Sequence, residues 1–160
     1  MISFLNDKFT SMGLEKTLQL GAITCFVSDV LNLLYINFYW FKVRFNSEFL
    51  AKVLTFHGVN AATISPEDIA NYKYMLIGSL TNMLFLFLFV HTILYYLFSK
   101  NKKWARKYVG GYCLSATLLT LLELVFFRSE LTAWSLVLPI TAFLYLTAFI
   151  GHKSFELDQD

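Results

Sequence analysis

Residues 25–37 read CFVSDVLNLLYIN, and they place Asp29, Asn32 and Asn37 inside an apolar run that extends over about 18–41. That run is long enough to cross a bilayer, for which about 20 apolar residues suffice. A charged side chain near the middle of such a helix costs about 2.5–3.5 kcal/mol even on the lenient insertion scale. A chain that keeps Asp29 there must give it a partner, a water path or a proton. This reading decides the fold class: an all-α, polytopic membrane protein.

The rest of the composition agrees. Of the 160 residues, 57% are hydrophobic and 18% aromatic, and the mean hydropathy is +0.56. Only 15% are charged, against about 25% in soluble domains, and those few cluster between apolar runs. The formal net charge of +2 is too small and too scattered for nucleic-acid binding. The first residues, MISFLNDKF, lack a basic segment followed by an apolar core and a cleavage site, so targeting falls to the first membrane helix.

Outward from residue 29, the chain resolves into four expected spans at about 18–41, 74–98, 108–127 and 131–150, forming one transmembrane domain over 1–160. The first span ends in a ring-rich stretch, 35–41, with Lys42 and Arg44 just beyond. Tyrosine and tryptophan favour the headgroup level, and cations beyond them reach water. Residues 2–16 carry Ile2, Leu5, Phe9 and Met12 at helical spacing, the pattern of a short amphipathic surface helix. The outer loop, 42–73, holds a second such helix at 46–56, whose apolar repeat is Phe45, Phe49, Val53 and Phe56, with Gly58 placed to end it. Ser65-Pro66-Glu67-Asp68 then predicts a helix start: a serine cap, a proline at the first helical position and acids at the positive dipole end. Pro139 predicts a kink near the middle of the fourth span. The acidic tail, HKSFELDQD, reads as solvated.

Four spans put both termini and the basic turn SKNKKWARK (99–107) on one side. That side holds eight of the 13 Lys and Arg and the other side five. Positive charge favours the cytoplasmic face, so an inner or plasma membrane with both termini inside is expected. Lys100, Lys102, Lys103, Arg106 and Lys107 of the turn are also candidates for anionic-lipid contact.

At about 1.5 Å per residue, Asp29 falls near the bilayer centre, with Asn32, Asn82 and Glu123 in the outer half and His91 in the inner half. Asp29 and Asn32 share a helical face. On the third span, Cys113, Ala116, Thr117, Thr120 and Glu123 form a small polar face, and Gly111 with Ser115 gives a step for close helix approach. His91 lies half a turn out of phase with Asn82, so the two need different partners; with Thr92 and Tyr95 nearby, His91 reads as a hydrogen-bonded packing histidine, ahead of a proton relay. Cys25 and Cys113 sit at similar depth, close enough in depth for contact, and read by default as reduced core thiols. His57, His91 and His152 lie at three depths and cannot share a metal, and there is no CxxC, HExxH, GxSxG or Walker loop. No cofactor is indicated, and an enzyme is disfavoured.

The expected function is therefore a channel or transporter subunit for a cation, proton or small solute. Asp29 would be the binding or gating carboxylate, Asn32, Asn82 and Glu123 the lining of an outward-facing polar cavity, and Thr117 and Thr120 the lower contacts. Four helices enclose little water, so a pore would need self-association. Two alternatives stand beside it. One is a non-catalytic scaffold subunit, whose amides act as interhelical glue. The other is an intramembrane enzyme on a lipophilic substrate, with Asp29 and Glu123 as acid and base.

Overall fold

The computed structural model describes residues 2–59, 64–126 and 136–153, with side chains from residue 7 onward. Every element among them is helical: α1 (Ile2–Met12), α2 (Leu14–Tyr35), a π-helical turn (Ile36–Trp40), α3 (Phe41–Arg44), α4 (Ser47–Phe56), α5 (Pro66–Ser99), α6 (Lys103–Phe126) and α7 (Val137–Lys153). Three stretches are long and apolar enough to cross a membrane: Leu14–Arg44 with 31 residues, Pro66–Ser99 with 34 and Lys103–Phe126 with 24. The fourth apolar helix, α7, is shorter at 17 residues. The chain is thus a helical membrane protein by helix length and composition. The return at 128–130, the expected start of the fourth span and the tail from 154 lie outside the described residues.

The first candidate span begins at Leu14 rather than near 18, directly after Gly13 breaks it from α1. Near its far end the helix widens to a π turn over Ile36–Trp40, where Asn37 Nδ2 donates to the Leu33 carbonyl at 2.9 Å. Pro139, expected to kink a mid-span, is instead the third residue of α7. In a first turn the N–H that proline lacks has no helical acceptor to lose.

Two compact units can be described: Met1–Asn32 with Leu88–Asp160, and Leu33–Phe87. In the first, Leu18 and Cys25 of α2, Phe98 of α5, Val109 and Cys113 of α6, and Tyr145 and Ala148 of α7 share a core. Apolar burial supplies little drive between helices in lipid, so close packing by small residues must hold them. Gly110 does this for α6 and α7: a Cβ there would lie 2.8 Å from Cδ2 of His152. Gly111, the glycine expected to make the close approach, faces open space. The α1 helix does not lie free on a surface either. Phe9 is buried, its ring against Gly151 of α7, and Thr17 Oγ1 donates to the Phe9 carbonyl at 3.3 Å.

In the second unit, Phe41, Phe45 and Leu50 form a core with Ile69, Leu76, Leu80 and Leu84 of α5 packed against it. Helix α4 is capped by Asn46, whose Oδ1 accepts from Phe49 N at 2.8 Å. It ends where Gly58 takes a φ of 78°, with Gly58 N bonding Thr55 O and Val59 N bonding Leu54 O. That pair of bonds, across a left-handed residue, satisfies carbonyls the helix leaves open. The packed face is not the phenylalanine stripe. Leu50 and Leu54 are buried, while Phe49 is exposed and Phe56 is 89% exposed. Positions 50 and 54 share a face one residue, about 100°, round from that stripe. At the start of α5, Ser65 Oγ accepts from Asp68 N at 3.1 Å and donates to Asp68 Oδ2 at 2.7 Å, the reciprocal cap that the Ser-Pro-Glu-Asp sequence calls for.

Candidate functional site

The polar centre of the first unit is built around Asp29, and all four of that unit's long helices reach it. Asp29 comes from α2. His91 and Tyr95, one turn apart on α5, present both side chains to it; from α6, Tyr112 reaches it and Tyr108 reaches His91. Tyr145 closes the ring from α7. Spacing i, i+4 puts each pair on one helical face. The Tyr108 and Tyr112 rings run parallel, 3° apart in plane with centroids 6.4 Å apart, and the His91 ring stands edge-on to Tyr112 at 4.3 Å.

Both carboxylate oxygens are fully addressed. Asp29 Oδ1 accepts from Tyr145 OH at 2.5 Å and from Tyr112 OH at 2.7 Å. Asp29 Oδ2 accepts from Tyr95 OH at 2.6 Å and faces His91 Nδ1 at 3.0 Å. Tyr95 spends its single hydroxyl proton on Asp29, so the His91 Nδ1 contact works as a donor when that nitrogen carries a proton. The other ring nitrogen, Nε2, lies 3.1 Å from Tyr108 OH. Asp29 is 7% exposed and His91 1%, whereas Tyr108 is 44% exposed. A chain of hydrogen bonds therefore runs from the protein surface at Tyr108 through His91 to Asp29. It continues through Tyr145, whose hydroxyl accepts from Asn32 Nδ2 at 3.1 Å.

The arrangement brings hydroxyl and imidazole groups from three helices onto one carboxylate. An ionised carboxylate has about four acceptor sites and no donor, and here four donors converge on it. Each donor belongs to a different residue on α5, α6 or α7.

Of the residues expected from sequence, Asp29 and Asn32 are brought together through Tyr145. The others are placed elsewhere. Thr117 Oγ1 donates to the Cys113 carbonyl at 2.7 Å, and Thr120 Oγ1 bonds the Ala116 and Thr117 carbonyls at 2.9 and 3.0 Å, so both hydroxyls serve their own helix. Glu123 is half-buried and is not among the partners of Asp29. It lies eleven residues beyond Tyr112, about 16 Å further along α6. Asn82 is exposed and belongs to the second unit, where Thr81 Oγ1 instead donates to Asn37 Oδ1. The Cys25 and Cys113 sulfurs are 3.2 Å apart, both buried and free. Among the described residues no group of three His, Cys, Asp or Glu could hold a metal.

Sequence reasoning missed Tyr108, Tyr112 and Tyr145, named Tyr95 only as a neighbour of His91, and placed a proton relay at His91 behind a hydrogen-bonded packing role. The available signal was the paired spacing His91/Tyr95 and Tyr108/Tyr112, two i, i+4 polar steps in apolar helices. Tyrosine was taken as a marker of the headgroup level, which hid it as a hydroxyl donor at depth. Comparison of the chain with protein-family models, curated proteins and solved structures returns no match.

Proposed function

We propose that this chain is a proton-conducting or proton-coupled transport subunit, with Asp29 and His91 as its proton-binding pair. The observation that carries the reading is the hydrogen-bonded chain from exposed Tyr108 through His91 to a carboxylate whose four acceptor sites are all occupied. Tyr108 lies five residues into α6, close to the basic turn, so protons would enter from the side of that turn. With four spans and both termini cytoplasmic, as the distribution of Lys and Arg favours, that is the inner face of a plasma or inner membrane. Self-association would use the face of α5 that carries exposed Asn82 one turn from Gly78, where open space replaces a side chain. The exposed lysines 102, 103 and 107 suit anionic headgroups at the surface. Arg106 is turned inward instead, with Nη1 on Asn101 Oδ1 at 3.1 Å and Nε 3.5 Å from His152 Nδ1.

The test is proton flux into liposomes holding the purified protein and a pH-sensitive dye, driven by an imposed potential. Wild type should exceed empty liposomes, and Asp29→Asn and His91→Gln should each lower the flux at least tenfold. Wild-type flux at the empty-liposome level, or unchanged flux in Asp29→Asn, would sink the proposal. The second reading, a scaffold subunit with a polar staple, draws on the same four donors being internal to one unit. It expects Asp29→Asn to lower thermal stability in detergent while no flux exists to lose.

A further inference from the structure

Along α2 and α5 lies a cleft of about 360 Å³. Ala22, Ile23 and Phe26 of α2 form the apolar part of one wall, with Gln19 nearer the basic turn; the other, from α5, is formed by Thr92, Tyr95 and Tyr96. Toward the basic turn a second hollow of about 350 Å³ shares Ser99 with the cleft as a lining residue. Its lining is mixed, with Leu14 apolar and the other residues polar. Glu15 stands on the α2 side, Lys100 and Asn101 on the other. On α2 the lining positions 15, 19, 22, 23 and 26 form one stripe, and on α5 the positions 92, 95, 96 and 99, with Lys100 just beyond, form another. The stripes run antiparallel, so a slot about 10 Å long between positions 19 and 26 of α2 is followed by a mouth that carries Glu15 and Lys100.

That distribution describes an amphiphile's outline. The charges of the mouth narrow its chemistry. Lys100 Nζ leans over the Tyr96 ring, 5.8 Å from its centroid, and so stands above the slot. Glu15, exposed and held by Gln19 Nε2 at 3.2 Å, stands across from it. One cation and one anion at a single opening complement a headgroup that carries a phosphate and an ammonium. A purely anionic head would gain Lys100 and meet Glu15 as a like charge.

We infer that the α2–α5 cleft seats one zwitterionic phospholipid, its phosphate toward Lys100, its amine toward Glu15 and one acyl chain against Ala22, Ile23 and Phe26. The chain's inner end then lies on Tyr95, whose hydroxyl donates to Asp29, so the lipid forms one wall of the buried polar centre. The inference is independent of what Asp29 does.

Native mass spectrometry of the full chain in detergent, loaded with equal amounts of phosphatidylethanolamine and phosphatidylglycerol, tests it. Wild type should retain one phosphatidylethanolamine on dilution, at least fivefold in preference to phosphatidylglycerol. Ile23→Trp, at a wall position that is 61% exposed, should fill the slot and lower that retention at least fivefold. Glu15→Lys, at the exposed mouth, should reverse the headgroup preference. Equal or stronger retention of phosphatidylglycerol by wild type, or unchanged retention of phosphatidylethanolamine in either variant, overturns the assignment.

Discussion

Tyr145 shows how much can hang on one hydroxyl. It donates to Asp29 Oδ1 and accepts from Asn32 while its ring is buried in the helix core. Tyr145→Phe keeps the ring and removes the bond, and a hydrogen bond to a charged group is worth about 1.5–3 kcal/mol. The variant should lose stability by about that amount in detergent unfolding, and no change would mean that Asp29 finds another donor. Gly110→Ala tests shape instead of polarity. Its new Cβ would meet the His152 ring at 2.8 Å, and overpacking of this kind costs about 1–3 kcal/mol. The same change at Gly111, which faces open space, should be silent, so thermal midpoints of the two variants read one close approach. At this scale the sequence was half legible. Asp29 stood out because a carboxylate in an apolar run is expensive. Its tyrosine partners did not, because only three-dimensional depth separates a headgroup tyrosine from one that donates inside.

Caps and faces belong to the scale of the element. Helix α5 ends with Asn101 at a φ of 58°, Asn101 N bonding Phe98 O at 2.9 Å and Lys102 N bonding Leu97 O at 3.1 Å. Left-handed backbone suits glycine and asparagine and strains a β-branched residue by about 1–2 kcal/mol. Asn101→Val should therefore lower the unfolding midpoint, while Asn101→Gly should shift it much less, although it forgoes the bond from Arg106 Nη1. In α4, Leu50→Ala should cost about 2–5 kcal/mol as a buried large-to-small change. Phe56→Ala, at a residue 89% exposed, should cost far less. Comparing the two in one melting experiment decides which face of α4 packs. The start of α5 was legible because capping depends on residues within four positions of each other. The packed face of α4 was not, because leucine and phenylalanine stripes one residue apart are equally apolar in sequence. Only the partner surface chooses between them.

For the whole molecule, the four apolar runs were legible from composition, since hydrocarbon imposes a length and excludes charge. How they meet was less so, because in lipid the pairing of helices is set by small residues and polar contacts, and both are sparse in sequence. The thiols give a direct check on the pairing of α2 with α6. Cys25 and Cys113 lie 88 residues apart in the chain with sulfurs 3.2 Å apart. A membrane-permeant oxidant should join them within one chain, read as a faster-migrating band on a non-reducing gel that Cys25→Ser abolishes. A wild-type chain that stays reduced under that oxidant would place the two helices differently.

Because the donors to Asp29 come from α5, α6 and α7, the centre can be inherited only as a block. Replacing the acid alone removes the shared acceptor of three hydroxyls and an imidazole; replacing the donors alone takes from the acid the groups that address it. Drift through single substitutions would pass through intermediates that carry an unmatched group. In descendants of this chain, positions 29, 91, 95, 112 and 145 should therefore change together or not at all, while the lipid-facing leucines and phenylalanines around them exchange freely.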